Sequence, residues 1–139
     1  MMYKPKFFKL YELLPPEIYR SEDKHWELLD ERLLETLDVI REILGVPLIC
    51  NTWYQGGNRR YCGFRVANCK VGAVNSYHKR GMAADLLSNK LTAEEMRQII
   101  DKHQDRLPYP VRIERSVSWL HIDVAEIDYN GKKIYYFNG

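Results

Sequence analysis

Two short segments of the sequence hold side chains suited to metal-assisted hydrolysis. The first contains His78 and Asp85, with Gly81 between them, and the second contains His121. Imidazole and carboxylate groups are the usual ligands of catalytic zinc, where three protein ligands leave a fourth position for a water molecule whose pKa falls toward about 7. The pattern therefore predicts a mononuclear Zn²⁺ site made by His78, Asp85 and His121.

The surroundings of Asp85 support this prediction and leave one alternative open. Asp85 lies in the otherwise apolar segment Met82–Leu87, which is predicted to be a buried strand. A buried carboxylate costs several kcal/mol unless it is paired or bound to a metal. An arginine salt bridge would satisfy Asp85 as well as a metal ion would.

The second segment has the alternation of a strand with one buried face. Within Ser118–Ala125, the apolar residues Leu120, Ile122 and Val124 alternate with Trp119, His121 and Asp123. Side chains alternate between the two faces of a strand, so these three share a face. A solvated polar surface is the alternative interpretation of that face.

The preceding segment, Val111–Arg115, alternates in the same way and is predicted to form a hairpin with it. The register that keeps the apolar residues together places Glu114 beside Trp119, on the face of His121. Glu114 is therefore the predicted general base, taking a proton from water and passing it to the leaving amine. The paired residues in this register are Val111 with Ile122 and Ile113 with Leu120.

Two amphipathic helices are predicted to support these strands. Along Trp26–Leu44 apolar residues recur every three or four positions, and charged residues fill the opposite face. Gly45 and Pro47 end this helix. A second helix begins with a capping box at Thr92 and extends to about His103.

The remaining segments complete the predicted fold. A run rich in Gly, Asn and Arg without clear periodicity indicates a long loop, and Asn130-Gly131 between alternating runs is typical of a hairpin. The prediction is one α+β domain over residues 1–139, in which an antiparallel sheet packs against the N-terminal and central helices. The further elements are a strand at Val46–Asn51, the loop Tyr54–Asn75, and hairpin strands at Glu126–Tyr129 and Lys132–Phe137.

Composition excludes several classes of partner. Hydrophobic residues make up 45% of the chain and charged residues 29%, which is typical of a globular domain. The formal net charge is only +2 and the basic residues are scattered, so no nucleic-acid partner is predicted. No signal peptide or span of roughly 20 apolar residues is present, which predicts a cytoplasmic protein without a membrane partner. The protein is also predicted to be a monomer.

Three cysteines, Cys50, Cys62 and Cys69, are predicted to be reduced thiols because their number is odd and no secretion signal precedes them. Cys62 and Cys69 remain alternative metal ligands, although a single pair separated by six residues is a weak zinc pattern. His25 and His103 lie on predicted helices and are interpreted as surface or structural residues.

The motif S-x-H-x-x-G-x-A-x-D over Ser76–Asp85, followed by W-x-H-x-D over Trp119–Asp123, resembles the zinc D-Ala-D-Ala carboxypeptidase family. That family shares a fold group with lysostaphin-type peptidases and the hedgehog signalling domain. The similarity extends over Pro47–Val124, more than half of the chain. It implies a hedgehog/D-Ala-D-Ala-peptidase-like fold with His78, Asp85 and His121 as the zinc ligands.

The resemblance also implies roles for neighbouring residues. Ser76 would support the loop that carries the first histidine, and Gly81 would form its turn. Many members have Glu or Asp three residues before the last histidine, where this chain has Ser118. Glu114 is therefore the candidate catalytic base, with Asp123 as the second candidate.

Family members hold a substrate carboxylate with an arginine from the loop after the first strand. Arg60 and Arg65 are the candidates by location, and a solvated loop position is the alternative for each. Trp119 is a candidate wall of the substrate cleft, as are Trp53 and Tyr54.

Together these features predict a zinc peptidase that hydrolyses peptidoglycan stem peptides, either as a D,D-carboxypeptidase or as a murein endopeptidase. A phage or prophage origin would fit the small size, with a separate lysis system giving access to the cell wall. The alternative is a catalytically silent metal-binding module of the hedgehog type. A third hypothesis is a zinc amidohydrolase acting on a different amide.

Overall fold

Three α-helices and a four-stranded sheet form the regular core of residues 2–21, 25–125 and 130–139, the parts of the chain that the computed structural model describes. Short 3₁₀ turns connect several of them, and the turn at Tyr77–Arg80 carries a predicted ligand. In chain order the elements are α1 (Leu10–Leu13), α2 (Glu31–Leu44), β1 (Ala83–Leu86), α3 (Ala93–Lys102), β2 (Val111–Arg115), β3 (Leu120–Asp123) and β4 (Ile134–Asn138).

Helix α2 is shorter at its start than the pattern predicted. The Asp30 side chain accepts a hydrogen bond from the Arg32 backbone N–H at 2.8 Å and caps the helix. The apolar residues before it form a separate 3₁₀ turn, Trp26–Leu28. The predicted end is confirmed, because Gly45 adopts φ 69° as the left-handed C-cap.

Helix α3 confirms its predicted start. Thr92 Oγ1 accepts from the Glu95 backbone N–H at 3.1 Å, and the Glu95 carboxylate accepts from the Thr92 N–H at 2.9 Å. Met96 and Ile100 are fully buried, so one face of the helix packs against the core.

The sheet is mixed, which confirms the α+β class but not the predicted all-antiparallel arrangement. Its strand order is β1-β3-β2-β4, with β3 antiparallel to both neighbours and β4 parallel to β2. Since β1 and β2 occupy both edges of β3, the last strand can pair only with the outer edge of β1 or of β2, and it pairs with β2. The chain leaves β3 near the start of β2, and β4 begins there with Ile134 opposite Val111, so the two strands run in the same direction.

The β2–β3 register differs from the prediction by two residues. Ile113 pairs with Ile122 rather than with Leu120, and residues 116–119 form a longer connection than the predicted tight turn. Ser116 accommodates that connection with φ 63°. A shift of two residues keeps every side chain on its predicted face, since the strand period is two.

The predicted strand at Val46–Asn51 is wrong apart from one bridge. Ile49 exchanges both backbone hydrogen bonds with Leu87, at 2.8 and 2.9 Å. The Asn51 backbone N–H donates to the Glu12 carbonyl instead, so the segment turns from the sheet toward α1.

The predicted strand Lys132–Phe137 corresponds to β4, while its predicted partner Glu126–Tyr129 lies outside the described residues. Asn130 and Gly131 have φ of 51° and 81°, as expected at a tight turn.

The two faces of the sheet have different surroundings. One face joins a single hydrophobic cluster with the helices, and the opposite face carries Asp85, His121 and Glu114. Within the described residues no helix is long and apolar enough to cross a membrane. The apolar sheet residues in the cluster are Ala84, Leu86, Val111, Ile113, Leu120, Ile122 and Ile134.

The Gly81→Ala substitution is expected to destabilise the protein more than Gly45→Ala. Both glycines have left-handed φ, of 70° and 69°, which costs alanine about 1 kcal/mol or more. An added Cβ at Gly81 would also collide with the Leu28 carbonyl oxygen, whereas the space around Gly45 is open. We expect losses of about 3 and about 1 kcal/mol in urea unfolding. Equal losses would contradict the close contact at Gly81.

Candidate functional site

The β1–β3 pairing brings two of the predicted ligands together. Asp85 lies directly opposite His121 in the antiparallel register, on the face of the sheet away from the helices. Opposed side chains of an antiparallel pair point the same way and lie about 5 Å apart at Cβ. The register therefore places a carboxylate and an imidazole at one point of the sheet surface.

The 3₁₀ turn Tyr77–Arg80 delivers the third group. Ser76 Oγ accepts a hydrogen bond from the His78 backbone N–H at 3.1 Å and caps this turn. Gly81 then reverses the chain with left-handed backbone and leads into β1. The predicted supporting roles of Ser76 and Gly81 are thus present in the structure.

The three side chains converge around the Asp85 carboxylate. Asp85 Oδ1 lies 2.8 Å from His121 Nδ1, and Oδ2 lies 3.3 Å from His78 Nε2. One ligand atom from each residue lies within 4.8 Å of the other two. The side chains of His78, Asp85 and His121 are only 4%, 13% and 10% exposed. This group can hold a metal ion.

The hydrogen bonds behind the imidazoles suit that role. His78 Nδ1 donates to the Gly63 carbonyl at 2.8 Å, which leaves Nε2 directed at Asp85. His121 Nε2 lies 2.8 Å from Asp123 Oδ2, which leaves Nδ1 directed at Asp85. Metal-binding histidines normally use the second ring nitrogen in this way, so the donor set fits a divalent cation.

The charges of the site are strongly coupled. Burial would raise the pKa of Asp85, but its contacts with His121 and His78 hold that pKa well below its usual range. Burial would likewise lower the pKa of His121, yet the neighbouring Asp123 and Asp85 carboxylates raise it to about 9. A metal ion held by His121 would therefore take the place of a proton on that imidazole.

Arg65 lies beside Asp85, so the arginine salt bridge that was the alternative partner of this carboxylate is also present. Its Nη2 is 3.5 Å from Asp85 Oδ2, while its Nε and Nη1 donate to the Tyr61 and Val71 carbonyls. Arg65 is buried and belongs to the site. Arg60 is exposed and does not line the cleft that contains the ligands.

A cleft of about 350 Å³ opens over the three ligands. Glu114 and Trp119 line it, as predicted from their shared face with His121. Glu114 is partly buried, and Gly139 lies close to its carboxylate. The cleft thus places a second carboxylate near the group that can hold a metal ion.

Asp123, the second candidate base, lies behind His121 and does not line the cleft. Its side chain is fully buried, and both oxygens accept hydrogen bonds from Arg112, at 2.9 and 3.0 Å. The contacts with His121 and Arg112 lower the pKa of Asp123 despite its burial. Its geometry suits orientation of His121 better than proton transfer to a substrate.

Sequence reasoning missed Arg112 and Arg59. Arg112 lies opposite Asp123 on the same face of the sheet, and the alternation of the two strands could have predicted this shared face. Arg59, a neighbour of the predicted Arg60, donates to the Cys50 carbonyl at 2.7 Å and to the Asp85 carbonyl at 3.0 Å. It supports the backbone of β1, and nothing in the loop pattern distinguishes it from Arg60.

The cysteines do not join the candidate metal group, which among the described residues consists of His78, Asp85 and His121. Cys50 and Cys62 are free thiols whose pKa is raised by burial, and a protonated thiol is a poor metal ligand. Cys62 contributes through its backbone instead, since its carbonyl accepts from the Asp85 N–H at 2.7 Å.

Comparisons with protein-family models, with curated proteins and with solved structures give no match to this chain. The assignment of the candidate site therefore rests on the residues of this chain and their geometry alone.

The protein is expected to bind one Zn²⁺ per chain, and His78→Ala is expected to weaken binding by about 100-fold or more, since it removes a ligand. His103→Ala is the matched control, because His103 is exposed at the end of α3. Calorimetric titration of chelator-treated protein with Zn²⁺ measures the stoichiometry and the affinity of the wild-type protein and of each variant. Undiminished binding by His78→Ala would exclude this ligand set.

Proposed function

We propose that this protein is a zinc-dependent peptidase that hydrolyses stem-peptide bonds of peptidoglycan. The observation that supports it best is the shared cleft, which Glu114 lines together with His78, Asp85 and His121. Hydrolytic zinc sites combine three such ligands with a nearby acid–base group. The hedgehog/D-Ala-D-Ala-peptidase-like fold is part of the proposal.

Zinc suits this donor set better than magnesium or calcium does. Two imidazole nitrogens and one carboxylate are typical of zinc, whereas the harder cations prefer oxygen ligands alone. When bound, zinc acts as a Lewis acid toward a carbonyl oxygen and lowers the pKa of water toward about 7.

Glu114 is assigned the proton transfers. A carboxylate on the cleft wall can accept a proton from the attacking water and then donate it to the leaving amine. Ser118 cannot take that role, because a neutral serine hydroxyl is too weak a base to accept a proton from the attacking water. Asp123 is assigned to the support of His121, in keeping with its burial and its 2.8 Å contact with His121 Nε2.

The charges around the ligands favour an anionic substrate. Arg65 pairs with Asp85 and Arg112 pairs with Asp123, so each of these two carboxylates is already compensated by an arginine. The positive charge of a bound cation is then only partly neutralised by the site, mainly by Glu114. Peptides that carry carboxylates, as murein stem peptides do, suit this field.

The choice of murein as the substrate follows from the resemblance of the Ser76–Asp85 and Trp119–Asp123 motifs to D-Ala-D-Ala carboxypeptidases. Both carboxypeptidase and endopeptidase action remain within the proposal. A catalytically silent metal-binding module is the second candidate, and the serine at position 118 is the feature that favours it.

Glu114→Gln is expected to keep zinc binding within about twofold and to lower hydrolysis by about 100-fold or more, since general acid–base groups contribute about 10²–10⁴-fold. Digestion of purified murein sacculi, with the released peptides identified by mass spectrometry, measures the loss. Glu42→Gln, on the exposed side of α2, is the control and should retain activity.

Each outcome of that digestion has a distinct meaning. Full activity of Glu114→Gln would place the base elsewhere. A zinc-loaded wild-type protein that cleaves no sacculus peptide would support the silent module, unless another amide substrate is cleaved, which would indicate an amidohydrolase.

Trp119→Ala is expected to raise KM by about tenfold and to change kcat by less than about twofold. The partly buried Trp119 lines the cleft and is neither a metal ligand nor the assigned acid–base group, so it should contribute to binding rather than to the chemical step. Tyr135→Ala removes an aromatic ring that is 48% exposed on β4 and outside the cleft, and should leave KM unchanged. A fall in kcat with constant KM would contradict this assignment.

A further inference from the structure

We propose that Arg112 is a positioning residue that sets metal affinity by fixing Asp123, and through Asp123 the ring of His121. The inference rests on the metal site of the proposed function and extends it to a residue that is not itself one of the three metal ligands. It concerns the strength of metal binding and makes no claim about the substrate.

The first step is the pair between Arg112 and Asp123. Arg112 Nε and Nη2 donate to the two oxygens of the Asp123 carboxylate at 2.9 and 3.0 Å. Asp123 is 0% exposed, so its charge depends on this partner for compensation. The planar guanidinium fork also fixes the plane of the carboxylate, which a point charge would not do.

The second step is the bond from Asp123 to His121. The oxygen that accepts from Arg112 Nη2 also lies 2.8 Å from His121 Nε2. An ionised carboxylate only accepts, so Nε2 carries the proton and Nδ1 is the atom available to a metal. The orientation of the carboxylate thus determines where Nδ1 points.

The third step is the fixation of Arg112 itself. Its guanidinium carbon lies 4.1 Å from the centre of the Phe137 ring and 4.9 Å from the centre of the Tyr77 ring. Tyr77 precedes His78 in the 3₁₀ turn, so Arg112 contacts both elements that carry a histidine ligand. The Phe137 ring also packs edge-on to His121, with centres 5.6 Å apart.

The test compares Arg112→Met with Arg115→Met. Both arginines lie on β2 and cover an aromatic ring, since Arg115 is 4.2 Å from the centre of Tyr136, but only Arg112 is bonded to Asp123. Arg112→Met is expected to weaken Zn²⁺ binding about 10–100-fold, the usual effect of losing a group behind a ligand. Arg115→Met should bind Zn²⁺ as wild type does.

Spectroscopy separates positioning from simple loss of stability. With saturating Co²⁺, Arg112→Met should show a changed visible absorption spectrum, whereas Arg115→Met should match wild type. Urea unfolding of the chelated proteins records any general destabilisation. Arg112→Lys keeps the charge but not the fork, so it provides a folded variant with intermediate affinity.

A double variant tests the order of the relay. If Arg112 acts through Asp123, Arg112→Met combined with Asp123→Asn should weaken Zn²⁺ binding no more than the stronger single variant. Additive losses, or wild-type affinity and an unchanged Co²⁺ spectrum in Arg112→Met, would overturn the proposal. Failure of the wild-type protein to bind Zn²⁺ would instead overturn the metal site itself.

Discussion

The largely buried carboxylate of Asp85 is the constraint on which the rest of the site depends. Apolar strand residues flank it, and its desolvation must be offset by His78, His121 and Arg65. Each of those partners needs its own support: the β1–β3 register for His121, the capped turn before Gly81 for His78, and loop carbonyls for Arg65. The strand pairing, the turn and the loop of the site thus all serve to place partners around the Asp85 carboxylate.

The site contains two aspartate–arginine pairs with an imidazole between them. Asp85 with Arg65 lies on one side of His121, and Asp123 with Arg112 lies on the other. This arrangement compensates both buried carboxylates and leaves each imidazole one nitrogen directed at Asp85. In the proposed function, Glu114 then contributes the acid–base chemistry from the cleft wall.

Local chemistry made part of this structure predictable. The Thr92 capping box and the turn at Gly81 depend only on residues close in the sequence. The shared face of Glu114 and His121 depends only on strand alternation, so it is correctly predicted although the register differs by two residues. The parallel pairing of β4 depends on which edge of the sheet is vacant, which no local pattern specifies. The same applies to the long side chains of Arg65 and Arg112, whose partners are set by tertiary packing.

X-ray absorption spectroscopy of the zinc-loaded wild-type protein tests the central claim most directly, because it reports the ligand types without a substitution. The account predicts two imidazole ligands, with zinc–nitrogen and zinc–oxygen distances of about 2.0–2.2 Å and no sulfur in the first shell. A scatterer at about 2.3 Å, the distance of a zinc–thiolate bond, or a fit requiring only one imidazole would contradict it.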